Sequence, residues 1–305
     1  MKIKAIINPS SGRKLLQKDL VKMLKKRRSN GLIDNLDCFY TSKQNDAYEE
    51  VAKLKVDDTD IIVVCGGDGT IFEVVNSIID HELKIPLAIL AAGTVNDFAS
   101  ALQLPRNTEE LDRLLDNYHV CSVDVGKVGK HHFLNVCAGG ALSEVAYKTP
   151  IELKTIFGRL AYILYGIASF PMGIMKTKSY RLTLPDEVIE DDLLLFVVGN
   201  TTSVGGFKHI LPLGSVTDGK LDLLAIRSAT KNVKDFSRLP ILLAELTKGE
   251  HLDSDLIIYR QTPWVKIETL DGSSVILDYD GERGEKLPQT ISNRPGAIRL
   301  VLPKS

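Results

Sequence analysis

The sequence predicts a two-domain α/β protein, a parallel-sheet domain followed by an antiparallel β-sandwich domain. Three observations carry this. From Met1 to about Val123, short apolar runs alternate with amphipathic stretches, the rhythm of repeated βα units and a parallel sheet covered by helices. After Val123 the runs become short, β-branched and alternating, punctuated by Gly129-Lys130, Pro185-Asp186, Asp218-Gly219 and Asp271-Gly272. The length of 305 residues suits two domains or one large one.

In the first region, strands are expected at Lys2–Asn8, Asn35–Thr41, Asp60–Cys65 and Pro86–Leu90. Helices are expected at Leu15–Arg28, Asp46–Lys55, Ile71–Asp80, Asp97–Leu102 and Thr108–Asn117. Thr108 reads as an N-cap, with Glu109 and Glu110 in the first turn beside the positive helix end. In the second region, strands are expected at Ser122–Val128, His131–Cys137, Tyr180–Leu184, Asp192–Gly199, Leu221–Arg227, Leu256–Arg260, Trp264–Leu270 and Val275–Asp280. Leu153–Met175 and Val233–Thr247 read as helices. The last strand, Ala297–Leu302, suits either domain. The expected division is residues 1–123 with 290–305, and residues 124–289.

Composition excludes several classes. The net charge is −1 and aromatic content 6%, so neither a basic field nor a base-stacking surface points to nucleic acid. Hydrophobic content of 44% and charged content of 25% are those of an ordinary globular protein. Cys38, Cys65, Cys121 and Cys137 form no CxxC pair and read as buried free thiols of a reducing, cytoplasmic compartment. The uncharged stretch Leu160–Met175 is shorter than a bilayer span and is interrupted by Gly166, Pro171 and Gly173. A buried helix is the plain reading. Lys154, Arg159, Lys176 and Lys178 on its flanks would also suit an anionic membrane surface.

Gly66-Gly67-Asp68-Gly69-Thr70 stands between the apolar run Asp60–Cys65 and the helical pattern Ile71–Ile79. A glycine-rich strand-to-helix turn brings bare N–H groups to phosphate oxygens at the positive end of a helix. An aspartate inside such a turn is understandable if a divalent cation lies between carboxylate and phosphates. The segment thus predicts a nucleotide with Mg²⁺, and marks the N-terminal parallel-sheet domain as nucleotide-binding. Asn8-Pro9-Ser10-Ser11-Gly12 and Ala92-Gly93-Thr94-Val95-Asn96-Asp97-Phe98-Ala99 also follow strands, and Thr41 ends another. Three successive strand ends of like polar chemistry favour a shared site at the carboxyl edge of the sheet, between the domains. Asp278-Tyr279-Asp280-Gly281-Glu282 puts three carboxylates within five residues at a late strand end. They repel unless solvated, metal-bound or partly protonated; a surface hairpin is the alternative. There is no GxxxxGK[ST], protein-kinase signature, HExxH or Cys/His cluster.

These motifs, in this order, resemble the soluble bacterial diacylglycerol kinases, within the wider diacylglycerol kinase catalytic family that includes sphingosine kinases. Glu73, Asn76, Val123-Asp124-Val125-Gly126, Gly205-Gly206, Pro212 and Asp218-Gly219 extend the resemblance over essentially the whole chain. Phe72 and Ser77 stand where members often carry Asn and Gly, and Ala91-Ala92 replace a common proline-containing pair. The resemblance implies an NAD kinase/diacylglycerol kinase-like α/β domain and a β-sandwich lipid-substrate domain. It implies ATP held by Asn8, Pro9, Ser10, Ser11, Gly12, Thr41, Gly66, Gly67, Asp68, Gly69, Thr70, Ile71, Phe72, Thr94 and Asn96. Asp68 would act through Mg²⁺, and Glu282, with Asp280 beside it, would take the proton from a lipid hydroxyl. A structural Mg²⁺ is implied at the Asp218 carboxylate and the Ser215 and Lys220 carbonyls. The implied partners are ATP and diacylglycerol or a similar lipid at the inner face of the membrane, with the enzyme a homodimer. An NAD kinase and a non-catalytic nucleotide or lipid sensor are the competing readings. Gly93–Asp97 and Asp280-Gly281-Glu282 argue against the first, the intact carboxylates against the second.

Overall fold

The computed structural model describes residues 1–11, 14–93, 97–140, 177–228 and 239–304. The helix expected at Leu153–Met175, with the Leu160–Met175 stretch, lies outside them, as do Gly12, Thr94, Val95 and Asn96. The chain divides into two compact units, Met1–Val123 with Gly296–Ser305, and Asp124–Pro295.

The first unit is built on parallel strands in the order β4-β3-β1-β2: β1 (Lys2–Ile7), β2 (Asn35–Tyr40), β3 (Ile61–Gly66) and β4 (Leu87–Ala91). Ile3 is in register with Leu36 on one side and Ile61 on the other, and Cys65 with Leu90. The helices are α1 (Lys14–Ser29), α2 (Asp46–Val51), α3 (Asp68–Asp80), α4 (Asp97–Ala101) and α5 (Thr108–Asp116). The period of two sends Ile3, Ala5, Ile7, Ile61, Val63, Cys65, Ala88 and Leu90 to one face. There they pack with Leu20 and Leu24 of α1 and Leu111, Leu114 and Leu115 of α5. Strands β3 and β4 are buried throughout, and such burial stabilises by about 25 cal/mol per Å² of apolar surface removed from water. Both therefore read as continuous apolar runs, whereas the edge strand β2 alternates.

Several boundaries differ from the sequence reading, each for a local reason. The helix after the glycine turn starts at Asp68, so Asp68, Gly69 and Thr70 form its first turn instead of an extended loop. The N-cap of α5 is Asn107, not Thr108. The Asn107 side chain accepts from the Glu110 N–H at 2.8 Å and donates to Glu110 Oε1 at 2.8 Å, while Glu110 Oε2 accepts from the Arg106 N–H at 2.8 Å. The second helix stops at Val51, shorter than Asp46–Lys55.

The second unit is antiparallel. Its strands are the end of β5 (Tyr118–Val128), β6 (His131–Phe133), β7 (Val136–Gly140), β8 (Lys178–Thr183), β9 (Val188–Gly199), β10 (Leu221–Arg227), β11 (Ile257–Thr262), β12 (Trp264–Thr269), β13 (Ile276–Tyr279), β14 (Glu282–Lys286) and the start of β15 (Gln289–Pro303). The expected single strand His131–Cys137 is thus two, β6 and β7. Strand β9 serves two sheets: Val188–Leu193 pairs with β8, while Leu195–Gly199 lies between β7 and β10. A long strand that changes partners midway is how sandwich sheets are joined at a corner. The core on the β7-β9-β10 part gathers Val136, Ala138, Leu195, Val197 and Leu224 with Leu211 and with Leu242 and Leu246 of α6 (Leu239–Lys248). Among the described residues no helix is long and apolar enough to cross a membrane. The four cysteines are free; Cys65 and Cys137 are buried, but Cys38 and Cys121 are only partly so, which corrects the expectation that all are buried.

Candidate functional site

In the first unit the carboxyl ends of β1, β3 and β4 bring three loops together. A Cβ placed on Gly67 would lie 3.9 Å from both the Ser11 Cβ and the Gly93 Cα. A Cβ on Gly66 would strike the Thr70 side chain at 2.5 Å. Neither Gly66 nor Gly67 has a positive φ; the missing Cβ of Gly66 makes room for the Thr70 side chain, whereas a Cβ on Gly67 would make only ordinary contact. Asn8 ties the first loop down. Its N–H donates to the Cys65 carbonyl at 2.9 Å, its Oδ1 accepts from Ser10 N–H at 2.9 Å, and its Nδ2 donates to Thr70 Oγ1 at 2.9 Å. Gln17 Nε2 donates to the Asn8 carbonyl at 3.2 Å and to the Ser11 carbonyl at 2.5 Å. Asp68 is exposed on the first turn of α3, whereas Thr70 and Ile71 are buried and Phe72 is half-buried. Thr41 is buried just beyond β2, its N–H donating to the Ile7 carbonyl at 2.9 Å. Behind the turn, burial pushes the Cys65 thiol up to about 12, which leaves it inert as a nucleophile. The structure thus brings Asn8, Pro9, Ser10, Ser11, Gly66, Gly67, Asp68, Gly69 and Thr70 to one edge. Backbone N–H groups at a helix start, bordered by hydroxyls and one exposed carboxylate, suit a phosphate chain carrying a divalent cation.

In the second unit, the late acidic segment is a hairpin turn. Asp280 and Gly281 have φ of 51° and 91°, and Tyr279 pairs with Glu282, the two-residue turn that matches strand twist. The expected strand Val275–Asp280 therefore ends at Tyr279, and Glu282 opens β14, a strand the sequence reading lacked. The three carboxylates do different things. Asp278 is buried and accepts from Gly281 N–H at 3.1 Å. Asp280 uses both oxygens on the turn before β7, accepting from the N–H groups of Leu134 (2.6 Å), Asn135 (3.0 Å) and Val136 (2.9 Å). Its own N–H donates to the Val136 carbonyl at 2.9 Å. Glu282 is half-buried beside this clamp. Among the described residues no three His, Cys, Asp or Glu side chains converge as metal ligands.

The turn at Asp218 has a different composition, one carboxylate and two carbonyls. Asp218 Oδ1 accepts from Lys220 N–H at 3.0 Å, and the Lys220 carbonyl accepts from Asn293 Nδ2 at 2.8 Å. Ser215 Oγ lies 3.4 Å from Thr217 Oγ1. The structure adds a residue that the site reading missed: Asp124, buried, accepts from Gly219 N–H at 2.8 Å and from Asn293 Nδ2 at 3.2 Å. Its signal was an acid within the apolar run Val123-Asp124-Val125. Asp218 and the Lys220 carbonyl, oxygens of the kind a hard cation such as Mg²⁺ takes, both accept hydrogen bonds within the protein. Asn200, fully buried, donates to the carbonyls of both Asp124 and Leu134, at 2.8 and 3.2 Å. One side chain therefore joins the Asp218 turn to the segment that Asp280 clamps.

Residues 2–128 match the diacylglycerol kinase catalytic domain, and residues 140–302 match the YegS C-terminal NAD kinase beta sandwich-like domain. A diacylglycerol kinase of Staphylococcus haemolyticus is 34% identical over 98% of this chain and 87% of its own length. One from Bacillus subtilis is 33% identical over 98% and 95%. The chain belongs to the diacylglycerol kinase family. A crystal structure from Bacillus anthracis str. Sterne covers 99% of this kinase and 95% of its own chain, with a TM-score of 0.83 at 29% identity. Another, titled as a diacylglycerol kinase from the same strain, gives 0.74 at 27%, covering 99% and 96%. The kinase thus combines a parallel-stranded catalytic-domain region with an antiparallel β-sandwich region, as its relatives do.

Proposed function

We propose that this kinase transfers the γ-phosphoryl group of ATP to the hydroxyl of diacylglycerol, giving phosphatidic acid and ADP. The convergence of Ser11, Gly67 and Gly93 at the carboxyl ends of parallel strands carries the nucleotide half of this reading. In it, ATP is held by Asn8–Gly12, Thr41, Gly66–Phe72, Thr94 and Asn96. Mg²⁺, when bound, neutralises charge on the transferring phosphates; Asp68 is the residue for that cation, and Asp218, Ser215 and Lys220 for a structural one. The lipid oxygen bonds to the γ-phosphorus as the bond to the β–γ bridging oxygen breaks. Glu282 accepts the hydroxyl proton. Asp280, with both oxygens already on backbone N–H groups, orients the hairpin rather than acting as the base. Such transfer depends on positioning and charge neutralisation more than on covalent steps. The same reading includes a homodimer working transiently at the inner membrane face.

The test is transfer of labelled γ-phosphate to a panel of lipid alcohols in mixed micelles. Diacylglycerol is expected to be labelled best, with dependence on Mg²⁺. Preferential labelling of a polyprenol or another lipid alcohol would overturn the substrate assignment, and labelling of none would overturn the reaction.

A further inference from the structure

We propose that Glu73 is a positioning residue, which locks the loop between β2 and α2 onto the helix that starts at the glycine turn and thereby sets ATP affinity. The inference rests on the reading that Thr41 and the glycine turn hold ATP. Glu73 Oε1 accepts from Asn45 N–H at 2.9 Å and Oε2 from Ala47 N–H at 3.1 Å. Those two N–H groups lie at the start of α2, where no intrahelical acceptor exists for them. The loop is otherwise costly to hold. Asn45 has φ of 67°, a conformation unfavourable for a residue with a Cβ. Inside the loop Asp46 Oδ2 accepts from Ser42 N–H, Ser42 Oγ and Lys43 N–H. Those bonds, the Ser42 N–H first, hold the Asp46 carboxyl below its ordinary range. They shape the loop; the Thr41 N–H bond to the Ile7 carbonyl holds its start to β1, and Glu73 ties its far end to α3.

Helical spacing extends the attachment. Ser77 and Asp80 follow Glu73 by four and seven residues and share its face of α3. Ser77 Oγ donates to the Tyr48 carbonyl at 2.8 Å, and Tyr48 Oη donates to Asp80 Oδ2 at 3.0 Å. The Tyr48 ring meets His81 edge-on with centroids 5.7 Å apart. Helix α2 is thus held along its length, and Glu73 is the contact nearest Thr41 and the phosphate loop. Because α3 also carries Asp68 and Thr70, slack in the Glu73 contact loosens the loop that follows Thr41 relative to the glycine turn. A nucleotide spanning both would pay for that slack in affinity.

The test is equilibrium dialysis of labelled Mg·ATP against the full chain, with melting curves on the same samples. Glu73→Gln keeps the shape but turns an amide N–H toward a backbone N–H. It is expected to raise the ATP Kd by about tenfold. Ser77→Ala, which loosens α2 away from the loop, is expected to lower the melting temperature without changing Kd. Thr41→Val is expected to raise Kd. If Glu73→Gln leaves Kd unchanged while Thr41→Val raises it, the proposal fails and the ATP site stands. If neither changes Kd, the loop does not hold ATP and both fall. Equal increases from Glu73→Gln and Ser77→Ala would reduce Glu73 to general stability and overturn the proposal. Should Glu73→Gln not fold, Glu73→Asp, one methylene shorter, is expected to raise Kd a few-fold, and an unchanged value overturns the proposal.

Discussion

Asp68 and Asp280 both lie in glycine-containing turns beside a strand end, yet their surroundings differ. Asp68 is exposed on the first turn of α3, in a turn where the missing Cβ of Gly66 makes room for the Thr70 side chain. Asp280 has both oxygens on three N–H groups from residues 134–136. A carboxylate in the first setting faces solvent; in the second it is part of the scaffold. The comparison teaches that three acids in five residues need not be three chemical groups. In the second unit, Asp280 holds the hairpin through three backbone N–H groups, and in the proposed mechanism Glu282 is the base.

The largest expected effect separates the two settings outright. Asp68→Ala removes an exposed carboxylate and no core packing, so turnover is expected to fall by about 10²–10³-fold. The melting temperature should move by only a few degrees, in keeping with loss of one acid at a helix start. Activity within a few-fold of the native enzyme would take Asp68 out of the site. Next comes the pair in the second unit. Glu282→Gln is expected to lower lipid phosphorylation by about 10²–10⁴-fold with near-normal ATP affinity and an unchanged melting temperature. Asp280→Asn should lose both activity and several degrees of stability, because an amide cannot accept from all three N–H groups. Melting curves with initial rates decide it. If Asp280→Asn melts like the native protein while Glu282→Gln retains activity, their roles are exchanged.

A smaller effect concerns the Asp218 turn. If it holds Mg²⁺, chelation with EDTA should lower the melting temperature, since a ligand at a hundred times its Kd stabilises by about 2.7 kcal/mol. Melting curves that coincide with and without EDTA would speak against a metal there. The smallest concerns His251, buried against Tyr259, where burial outweighs the opposing influence of the Glu245 and Ile210 carbonyls. Burial lowers its pKa from the ordinary 6.5. The native state therefore keeps the ring neutral while the unfolded chain binds a proton. Stability from this group is present above about pH 6.5 and lost as the pH falls below it. His251→Leu should flatten that part of the curve of melting temperature against pH. An unaltered slope between pH 7 and 5 would show that His251 does not titrate there.

Much of the first unit was legible because its strands and helices are local patterns. The apolar runs at Ile61–Cys65 and Leu87–Leu90 sit on neighbouring parallel strands, and the glycine turn lies where periodicity placed it. What was not legible depends on distant partners. Glu73 is an ordinary helical acid until Asn45 and Ala47, 28 and 26 residues away, turn their N–H groups to it. Asp280 resembles its neighbours until residues about 145 positions earlier supply its donors. The capping error at Thr108 is closer to hand: both Asn107 and Thr108 are capping types, and only the Asn107 bond to Glu110 decides between them.

The most direct measurement is a single competition: Mg·ATP labelled at the γ-phosphate, the full chain, and diacylglycerol in mixed micelles together with NAD⁺. The account predicts label in phosphatidic acid, identified by mass, none in NADP⁺, and loss of the lipid product with Asp68→Ala. Label in NADP⁺, or phosphatidic acid formed equally well by Asp68→Ala, would contradict it.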